Sequence, residues 1–304
     1  MISWLTDPWS YQFMQHAFLA IILVGLICGV IGVFVILRGL SFLGDALAHA
    51  IFPGVVIAFI LGGNYLVGAL VAAVIVSLGI GAISQSARIT NDTAIGVIFA
   101  GGFALGVALL STQKGYTRDL NAFLFGSILS VRRDDLILTI AVGIVVLAVI
   151  WWFRREFVTI AFDRAYAQGL GINLWLFDQL FLLGLALAIV ISLQTVGNIL
   201  VLAMLVTPAA TARMLTDKLN RMIALSAGIG MASGIFGLYV SFYRGIPSGA
   251  AVVLVATGIF LLVFLFAPGS GAITSRIFRR LHHAHPERDT FADGPAIPSR
   301  GIES

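Results

Sequence analysis

Charge is what this chain has least of. Only 11% of its residues are Asp, Glu, Lys or Arg, while 60% are hydrophobic and the mean hydropathy is +1.04. That balance excludes an ordinary soluble domain. Cysteine is nearly missing too. The single thiol, Cys28, can form no internal disulfide, rules out a thiolate-rich metal site, and lies in an apolar stretch where a packing role is expected. No Gly-x-x-x-x-Gly-Lys-Ser/Thr loop, no His-Glu-x-x-His pair and no Ser-His-Asp arrangement can be read. The chain is therefore expected not to be an enzyme and to hold no permanent cofactor. The first apolar stretch lacks a basic lead and an Ala-x-Ala site, so it reads as a retained span and not a removed signal peptide.

What the chain does have is long apolar runs. Crossing a bilayer takes about 20 such residues, and windows at about 17–37, 42–61, 65–83, 94–110, 136–153, 222–243 and 248–267 qualify. Residues 180–212 carry no charge at all. As one helix they would run roughly 50 Å against a core of about 30 Å, so a break at Gln194-Thr-Val-Gly-Asn198 is expected to separate two spans. The reading is an all-α polytopic bundle of eight or nine membrane helices over residues 1–275. Residues 276–304 turn polar and read as a disordered cytoplasmic tail, whose His282, His283 and His285 offer at most weak chelation. The 33 glycines, many inside the apolar windows, suit close helix packing.

Basic residues set the expected orientation. Three arginines between Arg276 and Arg280 follow the last span, which puts the C-terminus in the cytoplasm. Counting back, Arg213/Lys218/Arg221, Arg154/Arg155/Arg164 and Arg88 fall inside as well. This agrees with nine spans and an outside N-terminus. Arg132 and Arg133 would then lie outside, where Asp134 and Asp135 neutralise them locally. Asp178 falls at a membrane boundary. The net charge of +4 follows from these flanking arginines, so the expected contact is the lipid bilayer and no nucleic acid.

Within the second window, Asp45 and His49 stand four residues apart, one helical turn on the same face. Ionisable groups are costly in hydrocarbon and mark paths or sites by default, and carboxylate plus imidazole can ligate a divalent transition metal. The two could also simply pair with each other or cap a helix. Asp92, beside Thr93, reads as a helix N-cap. Between two spans, Asp163, Ala167 and Gly171 recur at i, i+4 and i+8, giving a short helix a small-residue face that can dock into a partner's groove; a solvated connection has the same spacing.

Several short motifs then carry a resemblance. Gly44-Asp45-Ala46-Leu47-Ala48-His49-Ala50 with Pro53-Gly54, Asp92-Thr93-Ala94-Ile95-Gly96, Asp119-Leu120 with Leu124-Phe125-Gly126, Asp163-x-x-x-Ala167-x-x-x-Gly171, Val196-Gly197 to Pro208-Ala209-Ala210-Thr211-Ala212-Arg213, and Pro247-Ser248-Gly249-Ala250 follow in order. Over about residues 10–270 the chain resembles the metal-permease family (ABC-3 type) of bacterial ATP-binding-cassette importers. The resemblance implies a multi-pass permease of the bacterial inner membrane, working as a homodimer with a cytoplasmic ABC ATPase subunit that uses ATP and an extracytoplasmic metal-binding protein. Its cargo would be zinc or manganese, with ferrous iron as a further option. Asp45 and His49 would be transient ligands on the path, and residues 163–171 the helix that couples the ATPase to it. Two departures stand out: Tyr243-Arg244-Gly245-Ile246 precedes Pro247 where the family often has an aspartate, and residues 111–119 contain no histidine. Two alternatives remain open at the level of sequence: a secondary transporter using Asp45 and His49 as a proton relay, and an ATP-driven permease for a siderophore or organic cofactor.

Overall fold

The computed structural model describes residues 6–85, 88–112 and 128–267, among which every regular element is helical. The tail 276–304 with its histidines, and the Asp119 to Gly126 motif, lie outside the described residues. The helices are α1 (Gln12–Leu37), α2 (Leu43–Ala50), α3 (Phe52–Ile60), α4 (Tyr65–Ile83), α5 (Asn91–Ser111), α6 (Arg133–Trp152), α7 (Arg154–Phe162), α8 (Arg164–Gly169), α9 (Leu174–Val196), α10 (Asn198–Leu215), α11 (Leu219–Arg244) and α12 (Ser248–Phe266). Among the described residues nine stretches are long and apolar enough to cross a membrane, with α2 and α3 together supplying one, Leu43–Ile60. The second span is broken because Pro53 has no N–H to give to the carbonyl of His49, one turn back.

Helix α1 is the axis of the bundle, with α6, α9, α10 and α11 packed around it. Small residues allow that packing: a methyl group added at Gly32 would stand 1.9 Å from the Leu205 carbonyl oxygen of α10. In an apolar solvent there is little hydrophobic drive between helices, so such close backbone contact, with van der Waals attraction and the Ser226 Oγ–H donating to the Gly29 carbonyl at 2.7 Å, does the holding. Neighbouring residues also give the helix directions. Gly25 meets Met204 while Gly32 meets Leu205 and Ala209, so α1 and α10 run parallel; Gly25 meets Gly230 while Gly29 meets Ala227, so α11 runs against them. Spans one, seven and eight therefore alternate as successive crossings require.

At the end of α1 an ionic brace joins three elements. Arg38 lies 2.9 Å from Asp178 of α9, and Arg164 of α8 lies 2.6 Å from the same carboxylate. The Arg38 guanidinium also sits 4.3 Å from the centre of the Phe181 ring. Burial lowers its pKa from the ordinary arginine value, while Asp178 opposes that shift. Asp178 is thus an ion-pairing residue at the boundary the sequence assigns to it. Cys28 is buried with its Sγ 3.8 Å from Ser192 Oγ, as expected of a packing thiol. Asp135 is not an isolated neutraliser: it accepts from the Arg132 backbone N–H and from Gln194 Nε2, tying the start of α6 to the end of α9.

A candidate metal path

Helix α2 carries Asp45 in its first turn and His49 in its last, and the helical repeat brings Asp45 Oδ1 to 3.4 Å from His49 Nε2. Neither side chain is sealed away: the imidazole is 23% exposed and the carboxylate 43%. Asp45 opens on a cavity of about 460 Å³ shared with Phe42, Asp92, Ile95 and Phe99. The rings of Phe99 and Phe103 stand edge-on to the imidazole, at 5.6 and 5.3 Å between centroids, and fix its plane. Depth follows from packing. Gly44 and Gly32 both abut Leu205, so Asp45 is level with a point about 8 Å inside the end of α1, and His49 lies one turn deeper.

His49 has another neighbour that the sequence did not single out. Asn198 Nδ2 lies 3.4 Å from His49 Nε2. The asparagine is 5% exposed, and its Oδ1 is buried with no hydrogen-bond partner. It is the first residue of α10 and follows Gly197, whose φ of 88° and ψ of 162° belong to a region that is essentially glycine-only. Asn198 precedes Leu205 by seven residues, about 10 Å along a helix parallel to α1, which puts the α9–α10 break near the middle of α1. The whole of 195–198 is buried. Broken backbone at membrane depth is tolerated where protein or a path surrounds it, and such breaks in transporters sit at substrate sites. The uncharged run 180–212 announces the break; only the fold announces its proximity to His49, 149 residues away.

Other sequence expectations land differently. Asp92 is not the cap of α5: Thr90 is, its Oγ1 accepting from the Thr93 N–H at 3.2 Å, while Asp92 sits in the first turn and lines the cavity. Two threonines flank the aspartate, and the one three residues before Thr93 has the capping geometry. Among residues 163–171 the small-residue face divides: Asp163 and Gly171 are exposed and Ala167 is buried. Asp163 caps α8 by accepting from the Tyr166 N–H, Ala167 is fully buried, and Gly171 lies past the helix end with φ of 77°. The large apolar side chains exposed at this segment are Phe162, Tyr166 and Leu170. Among the described residues no group of three or more His, Cys, Asp or Glu could hold a metal, so Asp45 and His49 have no third ligand of those types within one chain.

Comparison with known proteins bears on the whole of this architecture. The model of the ABC 3 transport family matches residues 10–267. The manganese transport system membrane protein MntC of Listeria monocytogenes is 47% identical over 267 residues, 88% of this chain and 95% of that protein. The manganese import system permease protein ScaB of Streptococcus gordonii is 40% identical, over 85% and 93% of the two chains, and the chelated iron transport system membrane protein YfeC of Yersinia pestis 34%, over 94% and 97%. A solved structure of PsaBC from Streptococcus pneumoniae in complex with Fab superposes with a TM-score of 0.78 at 36% identity, covering 92% of this chain and 100% of that one. Fold, motif order and extent of match agree: the chain belongs to the ABC 3 transport family.

Proposed function

We propose that this chain is the membrane-spanning permease subunit of an ATP-driven importer of a divalent transition metal, manganese first and ferrous iron second. The observation that carries the reading is the pairing of Asp45, which opens on a cavity, with His49, which reaches Asn198 at a buried chain break. Two ligands from one chain make a weak site, and a weak site suits passage, because an ion held by a full closed shell would not be released. A second copy, related by two-fold symmetry, can double the pair where the two paths meet. Carboxylate with imidazole accommodates manganese, ferrous iron and zinc alike; manganese is favoured because the relatives described above are named for manganese and iron.

The energy is proposed to come from a separate cytoplasmic ABC ATPase, with α7 and α8 as its contact, and the metal from an extracytoplasmic binding protein. Asp163 and Gly171 would define the two ends of α8 and Ala167 its seat, leaving Phe162, Tyr166 and Leu170 to meet the ATPase. Residues 1–275 would be the membrane domain, in the bacterial cell membrane. Family membership sets the secondary-transporter alternative aside. The remaining alternative, an organic cofactor, is separated by experiment. In proteoliposomes holding the permease, its ATPase and its binding protein, ATP-dependent uptake is expected for Mn²⁺ and Fe²⁺ and not for cobalamin or a ferric siderophore. Uptake of either organic compound with no metal uptake would overturn the reading.

A further inference from the structure

We infer that Asn198 is a ligand of the moving ion, and the residue through which the path favours an oxygen-loving cation; this rests on the metal path proposed above. Three observations meet at one side chain. The amide is buried, its Oδ1 has no hydrogen-bond partner, and its other terminal atom is 3.4 Å from the His49 nitrogen that also faces Asp45. A buried amide oxygen without a partner is destabilising, and buried polar atoms that stay unpaired commonly mark function. Here the remedy is a half-turn of the amide about its last bond. That turn puts Oδ1 where Nδ2 now lies, against His49 Nε2 and on the side of Asp45.

The two amide orientations correspond to two states of the site. With no ion, the NH₂ group faces His49 and can donate to Nε2 in the tautomer that carries its ring proton on Nδ1. An arriving divalent cation takes that lone pair, and an NH₂ group, having no lone pair to offer a cation, must turn away. The carbonyl oxygen then faces the ion, giving carboxylate oxygen, imidazole nitrogen and amide oxygen from one chain. When the ion leaves, the NH₂ group returns and restores the hydrogen bond. A neutral ligand adds selectivity without adding charge: carbonyl oxygen suits manganese, whereas zinc is well served by imidazole, carboxylate and water. The glycine-only backbone at Gly197 positions Asn198 for this, since it lets the chain turn within the bundle and start α10 beside His49.

The test uses the full chain in nanodiscs, with Mn²⁺ binding followed by electron paramagnetic resonance and Zn²⁺ binding by competition, beside uptake in the proteoliposome system. Asn198→Leu keeps the volume and removes the ligand; it is expected to weaken Mn²⁺ binding at least tenfold and Zn²⁺ binding less than threefold, with the uptake KM for Mn²⁺ rising in step. Asn198→Asp keeps an oxygen and adds charge; it is expected to bind Mn²⁺ at least fivefold more tightly and to transport it more slowly, because release is impaired. Should the leucine variant fail to fold, Asn198→Ser, which retains a small oxygen ligand, is expected to keep most of the Mn²⁺ preference, and Asn198→Ala to lose it. Wild-type Mn²⁺ binding in the leucine or alanine variant, or equal losses for both metals, would overturn the inference. Asp45→Asn and His49→Ala run alongside: if they too bind Mn²⁺ normally the metal path itself fails, and if they lose it while Asn198→Leu does not, only the role of Asn198 falls.

Discussion

One imidazole nitrogen joins the residues of this site: His49 Nε2 lies 3.4 Å from Asp45 Oδ1 and 3.4 Å from Asn198 Nδ2. Asp45 and His49 are legible because ionisable side chains four apart in an apolar window have few bland explanations. Asn198 is not, because asparagine after glycine is ordinary turn chemistry and its partner is brought to it only by the packing of α2 against α10. Asp92 misleads for the opposite reason: three polar residues compete for one cap, and the hydroxyl of Thr90 has the right spacing. The prediction at this scale separates ligand from structural pair. Asp45→Asn and His49→Ala are each expected to lower ATP-dependent Mn²⁺ uptake more than tenfold with folded protein near wild-type amounts, and the double variant to be hardly worse than either, since groups that act as one unit are non-additive. Both side chains are partly exposed, so removing one leaves no sealed charge behind. Losses that simply add, or a fall in folded protein in place of uptake, would mean that the pair is structural.

Helices, by contrast, were largely legible. Hydropathy and length mark all nine spans, and the excess length of 180–212 marks the break that Gly197 makes. What hydropathy does not resolve is orientation about a helix axis in short, mixed segments, and α8 is the case in point. Asp163, Ala167 and Gly171 look like one docking face, yet α8 spans only Arg164–Gly169: its central alanine is buried, while Asp163 caps its start and Gly171 turns the chain past its end, both exposed. Substitutions should therefore divide. Ala167→Leu overpacks a closed seat, at a cost of about 1–3 kcal/mol, and is expected to lower the melting temperature of the permease. Tyr166→Ala removes an exposed ring that touches the solvent side, and is expected to leave melting unchanged while cutting ATPase co-purification and uptake at least fivefold. Thermal melts of the purified variants and pull-down of the ATPase measure both. Normal uptake and normal co-purification of Tyr166→Ala, or of a Tyr166→Ala/Leu170→Ala double variant, would remove the coupling role from this segment.

Across the whole molecule, charge is sorted by membrane side even though there is so little of it. Among the described residues, Arg38, Arg88, Arg154, Arg155, Arg164, Arg213, Lys218 and Arg221 fall at one set of helix ends, and Arg132, Arg133 and Arg244 at the other. By the positive-inside rule the first set faces the cytoplasm, so the described N-terminal turn at Asp7–Ser10 and the α11–α12 corner at Gly245 face outward. The same frame puts α8 on the side where the proposed ATPase would dock and opens the Asp45 cavity, which Gly39 and Ser41 also line, toward the cytoplasm. His49 and Asn198 then lie on the outer side of Asp45, so on the proposed path an incoming ion would meet imidazole and amide before the carboxylate. Orientation would thus set the order of the proposed ligands, and it can be tested without transport. In a Cys28→Ala background, Gly245→Cys is expected to react with a membrane-impermeant maleimide in intact cells, whereas Ala165→Cys is expected to react only after the membrane is opened. Gly245 has open space around its Cα but a φ of 64°, so the neighbouring exposed Arg244→Cys serves as a second reporter free of backbone strain. Labelling of position 165 from outside, or of 165 and 244 from the same side, would overturn the nine-span topology and reverse the order in which the ion meets its ligands.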